Sequence, residues 1–259
     1  MSALELLVDL DNAASEEKFQ EFRKRLELAV KLSNGRVLAE PRLLICTDVL
    51  KVPFPARIPM LPVKALEDHM QVIRRARSLK QLREGRIPWK YGYARLRSTD
   101  AVRQVVALVK EQWIRQVHRF ADEAFPEWRT CYAETGRRLP AEMRKGIDRK
   151  AVFEARSGEF AKGFLKVLET DHQPELVSDM RARLDAVLRF TAFVVDQFIE
   201  RNYSLENHDS DPLDQFQLHY LALDRFIIVS NDHNIRKRTA GSPQASRVMS
   251  FESFLRSLS

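Results

Sequence analysis

Apolar and polar positions along this chain follow two rhythms. Residues 4–8 form a short, mainly apolar run that ends in Asp9, the pattern of a buried strand. Ser15 then offers an N-cap, with Glu16 and Glu17 in the first turn, where the helix dipole favours acids. Phe19, Phe22, Leu26 and Val30 follow at helical spacing, and Asn34-Gly35 supplies a stop. Residues 37–38 and 43–46 read as further strand material, so the chain opens as strand, helix, strand, the start of a βαβ unit. Pro53, Pro55, Pro59 and Pro62 then make residues 51–62 an extended connection.

The middle of the chain reads differently. Residues 64–84 are helical and basic, 85–97 irregular, and 99–125 a long helix stopped at Pro126. Shorter helices fill 127–170, with Gly136, Pro140 and Gly158 as breaks. Pro174 opens one long helix with Leu176, Met180, Leu184, Val187, Leu188, Val195 and Phe198 on one stripe. The ending returns to alternating elements. Asp211-Pro212 starts a helix carrying Phe216, Tyr220 and Leu223, residues 226–229 read as a strand, 232–238 as a polar turn or short helix, 247–249 as a strand and 251–258 as a closing helix. The expected architecture is therefore α/β. Residues 1–62 and 202–259 would form one domain, a mostly parallel sheet flanked by helices, and residues 63–201 a mainly α-helical insertion in it.

With 44% hydrophobic and 31% charged residues, the 259-residue chain has enough apolar surface to build a core, which excludes a disordered or collagen-like polymer. Two cysteines cannot make a disulfide framework. The start lacks a basic n-region, and the longest apolar run, residues 193–199, is interrupted by Asp196, so a cytoplasmic protein without a membrane span is expected. The net charge of +7 is unevenly placed: residues 71–150 hold 20 Lys/Arg against 9 Asp/Glu. A basic middle between acidic ends suits a polyanion partner, nucleic acid first, and equally a solvated basic face with no ligand.

The acids lie where open α/β sheets place ligands, beyond the carboxyl ends of strands. The first strand runs into Asp9 and Asp11. The strand at 226–229 runs into Asn231-Asp232, and the helix before it begins with Asp209, Asp211 and Asp214. In a parallel sheet these places converge on one edge. Clustered carboxylates repel unless some are protonated or a cation joins them. All-oxygen donors select Mg²⁺ or Mn²⁺, and such ions assist phosphodiester hydrolysis. Each acid also has a purely structural reading. Asp211 before Pro212 suits an N-cap and Asp214 the N3 position, Asp232 can cap the helix after it, and Asp11-Asn12 can form a turn. No His or Cys set has zinc spacing, and nucleophile-elbow and phosphate-loop motifs are absent.

On these residues the chain resembles the PIN-like nucleases. Asp214 and Asp232 lie 18 residues apart with a strand between them, and residues 247–255 are similar to that family's last strand and helix. Residues 6–12, Leu-Leu-Val-Asp-Leu-Asp-Asn, resemble its first strand, and the Asp-x-Asp-Asn form is closer still to the related NYN type. The resemblance implies a Mg²⁺- or Mn²⁺-dependent nuclease, acting on RNA rather than DNA. Asp9, Asp11, Asp214 and Asp232 would be its catalytic metal ligands, with Asp211 assisting. The family places a Glu after its second strand; here Asp48, or Glu67 on the next helix, stands in for it. The missing Glu equally admits a non-catalytic nucleic-acid-binding or regulatory protein on a decayed nuclease fold. The size of the insertion admits a protein partner, an inhibitor or effector.

Arg74, Arg75, Arg77 and Lys80 stud the basic helix, and Trp89, Tyr91 and Tyr93 follow among further basic residues. Cations neutralise phosphates and aromatics stack on unpaired bases, so single-stranded or structured RNA is the expected partner. The aromatics can equally anchor an irregular loop. Arg236, Lys237 and Arg238, just after Asp232, are placed to grip a substrate backbone.

Overall fold

The computed structural model describes residues 13–32, 34, 38–58, 67, 70–71, 73–84, 87–89, 92–94, 97–125, 130, 134, 148–200, 203–208, 211–230 and 232–257. The chain divides into two compact units, residues 1–40 with 59–109 and residues 41–58 with 110–259.

In the first unit, α1 (Glu16–Leu32) starts as its sequence dictates. The Ser15 hydroxyl accepts the Lys18 N–H at 3.3 Å, and Phe19, Leu26 and Val30 are buried along one stripe. Its end is marked by Asn34 at φ 52°, a left-handed conformation that Asn tolerates, with its N–H on the Lys31 carbonyl. Residues 73–75 are helical, and α2 (Leu79–Glu84) follows. Glu16 ties α1 to this segment by accepting the Leu79 N–H at 2.8 Å, and Arg83 donates to the Ala13 carbonyl. Strands β1 (Ile87–Trp89) and β2 (Gly92–Ala94) pair antiparallel, with Trp89 opposite Gly92 and Pro88 opposite Tyr93. Helix α3 (Arg97–Ala124) begins in this unit and ends before Pro126, as the sequence predicts.

The second unit is built on helices. Pro41 opens the short α4 (Pro41–Leu44), which continues as a π-helical turn, Ile45–Leu50. The Val52 N–H bonds the Cys46 carbonyl, and Lys51 ends the turn at φ 56°. Helices α5 (Arg149–Val167), α6 (Pro174–Arg183) and α7 (Asp185–Glu200) all contribute to the core, α7 more than either of the others. Trp113, Val117 and Ala121 of α3, Leu165 of α5, Met180 of α6, and Val187, Phe190 and Val194 of α7 are buried together. Removing each large side chain from water contributes about 1.5–3 kcal/mol. Helix α8 (Asp211–Leu218) is fastened to α7 by Gln215, which donates to the Thr191 hydroxyl at 2.8 Å in the interior. Strands β3 (Ile228–Val229) and β4 (Val248–Met249) pair in parallel, Ile228 with Val248 and Val229 with Met249. Between them lies α9 (His233–Thr239), and α10 (Phe251–Ser257) follows β4.

These elements correct the expected fold class. Among the described residues the protein is predominantly helical, and its parallel sheet is one pair of two-residue strands, not the mostly parallel PIN-like sheet expected. The clearest reversal is at residues 43–46, expected as a strand and found in α4 and the π turn. A continuous apolar run has no period that separates strand from buried helix. Pro41, set for a first helical position, and burial of Ile45 and Cys46 in the helical core decide it. Leu38, also expected in a strand, is exposed and irregular. Of residues 226–229 only the last two pair. The strand expected at residues 4–8 lies outside the described residues. The single long helix expected from Pro174 is two helices meeting at Leu184, although the Leu184 N–H still reaches the Met180 carbonyl and its own carbonyl accepts from Leu188. Among the described residues no helix is long and apolar enough to cross a membrane.

Candidate functional site

Asp211 and Asp214 lie in the first turn of α8. Asp211, the first residue of α8, is buried, and each of its carboxylate oxygens has a partner. The Arg238 guanidinium donates to Oδ1 at 2.6 Å and the Tyr203 hydroxyl donates to Oδ2. Both of these partners come from outside α8. Both members of the ion pair are withdrawn from solvent, Arg238 at 9% and Asp211 at 5% side-chain exposure. The Arg238 guanidinium also lies over the rings of Phe190 and Phe193, at 5.0 and 5.3 Å, so two aromatic faces replace lost water. Tyr203 is in turn stacked on His208, centroids 3.9 Å apart and the rings nearly parallel.

Burial pushes the Asp211 carboxyl above the usual carboxylate range; Arg238 pulls the other way, and the charge of Asp232 adds to the rise. That coupling brings an acid from the turn before α9 within electrostatic reach of the first turn of α8. Asp232 itself caps α9, its Oδ1 accepting the Asn234 N–H at 2.7 Å, and it is exposed. Asp214, one turn along α8 from Asp211, is buried.

The other predicted site residues are dispersed. Asp9, Asp11 and Tyr91 lie outside the described residues. Asp48, on the π turn, is paired with Arg225; the Thr47 hydroxyl first, and then Arg225, hold its carboxyl below the ordinary value. Arg74, Arg75, Arg77 and Lys80 are exposed on the first unit. Trp89 and Tyr93 fall in β1 and β2 at neighbouring positions of the register, not opposite one another. In α9 only Lys237 of the basic trio is exposed. Arg236 is half-buried with its Nε unpartnered, and Arg238 is committed to Asp211.

A hard divalent ion requires oxygen donors that are free to turn toward it. Asp232 has one oxygen on the Asn234 N–H, and Asp214 is buried with an interaction of its own. Asp211 and Asp48 already spend their oxygens on guanidinium and hydroxyl groups. Among the described residues no group of three His, Cys, Asp or Glu side chains is gathered to hold a metal. Tyr203, Phe190 and Phe193 went unnoticed in the sequence. Nothing in local spacing marks them, because they act only through the fold that brings α7, α8 and α9 together. No protein-family model, curated protein or solved structure matches this chain.

Proposed function

We propose that this chain is a Mg²⁺- or Mn²⁺-dependent nuclease acting on RNA, with Asp214 and Asp232 among the carboxylates that hold the ion. What supports the reading is the placement of Asp211 and Asp214 in the first turn of α8, with the charge of Asp232 adding to the rise of the Asp211 carboxyl. Like charges brought together in a fold are costly unless something offsets them. Here a buried arginine offsets one of them. A bound divalent ion would supply an activated water and stabilise charge on the phosphoryl group. The expectation that Asp9 and Asp11 join the ligand set rests on the sequence alone. The exposed Arg74, Arg75, Arg77 and Lys80 support a nucleic-acid partner: residues 74–86 hold six Lys/Arg and one acid, Glu84.

The test is incubation with single- and double-stranded RNA and DNA, in Mn²⁺ and in EDTA, with wild type and Asp232→Asn. Asparagine caps a helix as well as aspartate does, so this variant keeps α9 and loses only the charge. Mn²⁺-dependent RNA cleavage that vanishes in the variant is expected; undiminished cleavage by the variant overturns the assignment. A second reading, a non-catalytic nucleic-acid-binding protein, is favoured by the engagement of Asp211 and Asp48 with arginines. Salt-sensitive RNA binding with no cleavage in Mn²⁺ would establish that reading instead.

A further inference from the structure

We propose that one face of α9 is a phosphate-binding surface, on which His233, Arg236 and Lys237 together engage the phosphodiester backbone of an RNA strand. The inference rests on the reading of this chain as one that takes nucleic acid, and it needs neither catalysis nor a metal. The three residues stand at i, i+3 and i+4 of one helix, so they share a face within a single turn. His233 and Lys237 are exposed and Arg236 is half-buried. Arg238, expected in the same role, is spent on Asp211 and on the rings of Phe190 and Phe193. The basic run therefore divides. Arg238 fastens α9 to the protein, and its two neighbours are left without an acid.

Charge accounting singles out Arg236. Of the arginines whose side chains are described between residues 150 and 257, it is the one without an ion pair; Arg181, Arg183, Arg189, Arg225, Arg238 and Arg247 are among those that meet a carboxylate. Asp232, four residues before it, turns Oδ1 to the Asn234 N–H instead. The Arg236 Nε is withdrawn from water and has no hydrogen-bond partner among the described residues. A partly desolvated guanidinium with neither counter-charge nor a full set of acceptors is costly to keep, and a bound anion lowers that cost. Its planar fork suits two oxygens of one phosphate, Lys237 adds a point charge, and the His233 ring adds an N–H donor. RNA is favoured over an acidic peptide because residues 74–86 also hold six Lys/Arg against one acid, the charge pattern of a chain that meets a long polyanion.

The test is fluorescence-anisotropy binding of a short single-stranded RNA, and of an oligoglutamate of equal charge, across a series of KCl concentrations in EDTA. It uses the full chain as wild type, Arg236→Gln, Lys237→Gln, the double variant of these two, and Arg181→Gln. The last removes the same charge from an arginine already paired with Glu154. Far-UV circular dichroism checks each fold. Lys237 is exposed, so Lys237→Gln carries the test if Arg236→Gln does not fold. Each phosphate contact on a single strand contributes about 0.7 to the fall of log binding constant with log salt. The single variants at 236 and 237 should each flatten that slope by about 0.7 and the double variant by about 1.4, with Arg181→Gln unchanged. A wild-type slope in Lys237→Gln and in the double variant overturns this inference alone. Equal flattening in Arg181→Gln overturns it in favour of net charge, and equal losses for oligoglutamate overturn it in favour of an acidic peptide. A wild-type chain that binds no RNA overturns the nucleic-acid reading and this inference together. Because binding is read in EDTA, a failure of the nuclease reading does not alter the result.

Discussion

A half-buried histidine exposes the physics most directly. His219 stands just after α8, stacked near Phe164, with its Nδ1–H on the Gln215 carbonyl at 3.0 Å. A carbonyl can only accept, so Nδ1 carries the proton of the neutral ring. Burial, with Arg42 adding to it, lowers the pKa of His219 from 6.5 to about 4. The sign of the consequence follows. Between these two values the unfolded chain takes up a proton that the folded chain refuses. Stability is therefore full above the unfolded value, falls with pH through the window, and stops falling from this source below about 4. Urea unfolding of wild type at about pH 7.5 and about pH 4.5 should show a loss on the order of 2–3 kcal/mol that His219→Gln lacks. Equal pH dependence in the two proteins would contradict it. Nothing in the sequence singles out His219 from the other five histidines, because its depressed pKa comes from the side chains around it.

At the scale of elements, Arg247 and Arg183 both clasp the connection between α8 and β3, Arg183 through the Ala222 carbonyl. Arg247, just before β4, donates to the Leu223 and Phe226 carbonyls through Nη1, at 2.8 and 3.2 Å, and to the Leu221 carbonyl through Nη2 at 2.6 Å. These carbonyls close a helical turn and a bend, where backbone acceptors lack intrahelical partners. Replacing Arg247 by Met keeps the apolar stem and removes three hydrogen bonds, although the Leu223 carbonyl keeps the Phe226 N–H. Hydrogen bonds to charged groups are worth about 1.5–3 kcal/mol each at best, and they are not additive. A total loss of about 2–4 kcal/mol is expected, read as a lower urea midpoint, and an unchanged midpoint would rule the clasp out. Elements with local signals were legible beforehand: Ser15 and Asn34 bound α1, and Pro126 lies just beyond the end of α3. Strand against helix at residues 43–46 was not, since that choice depends on which neighbours bury Ile45 and Cys46.

For the whole molecule, the uneven charge makes a prediction that is independent of any catalysis. If RNA lies on the basic stretch of the first unit, each phosphate contact releases counterions. The logarithm of the binding constant then falls against log salt by about 0.7 per contact on a single strand. Changing Arg74, Arg77 and Lys80 together to Gln should weaken binding and flatten that slope by about 2. An unchanged slope would move the interface elsewhere. The amino-acid order alone decided whatever depends on neighbours within a turn or two: where most helices start and stop, which stripe of each is apolar, and that Asp232 would cap α9. Those effects are short-ranged, so local spacing carries them. Tertiary structure alone decided what depends on distant partners. It buried Asp211 against Arg238, 27 residues away, and joined Asp48 to Arg225, 177 residues away. Among the described residues it also left only one parallel pair of two-residue strands where a mostly parallel sheet was expected. A carboxylate in a sequence is only an acid; whether it faces an arginine, a helix end or an ion is set by what the folded chain removes from water around it.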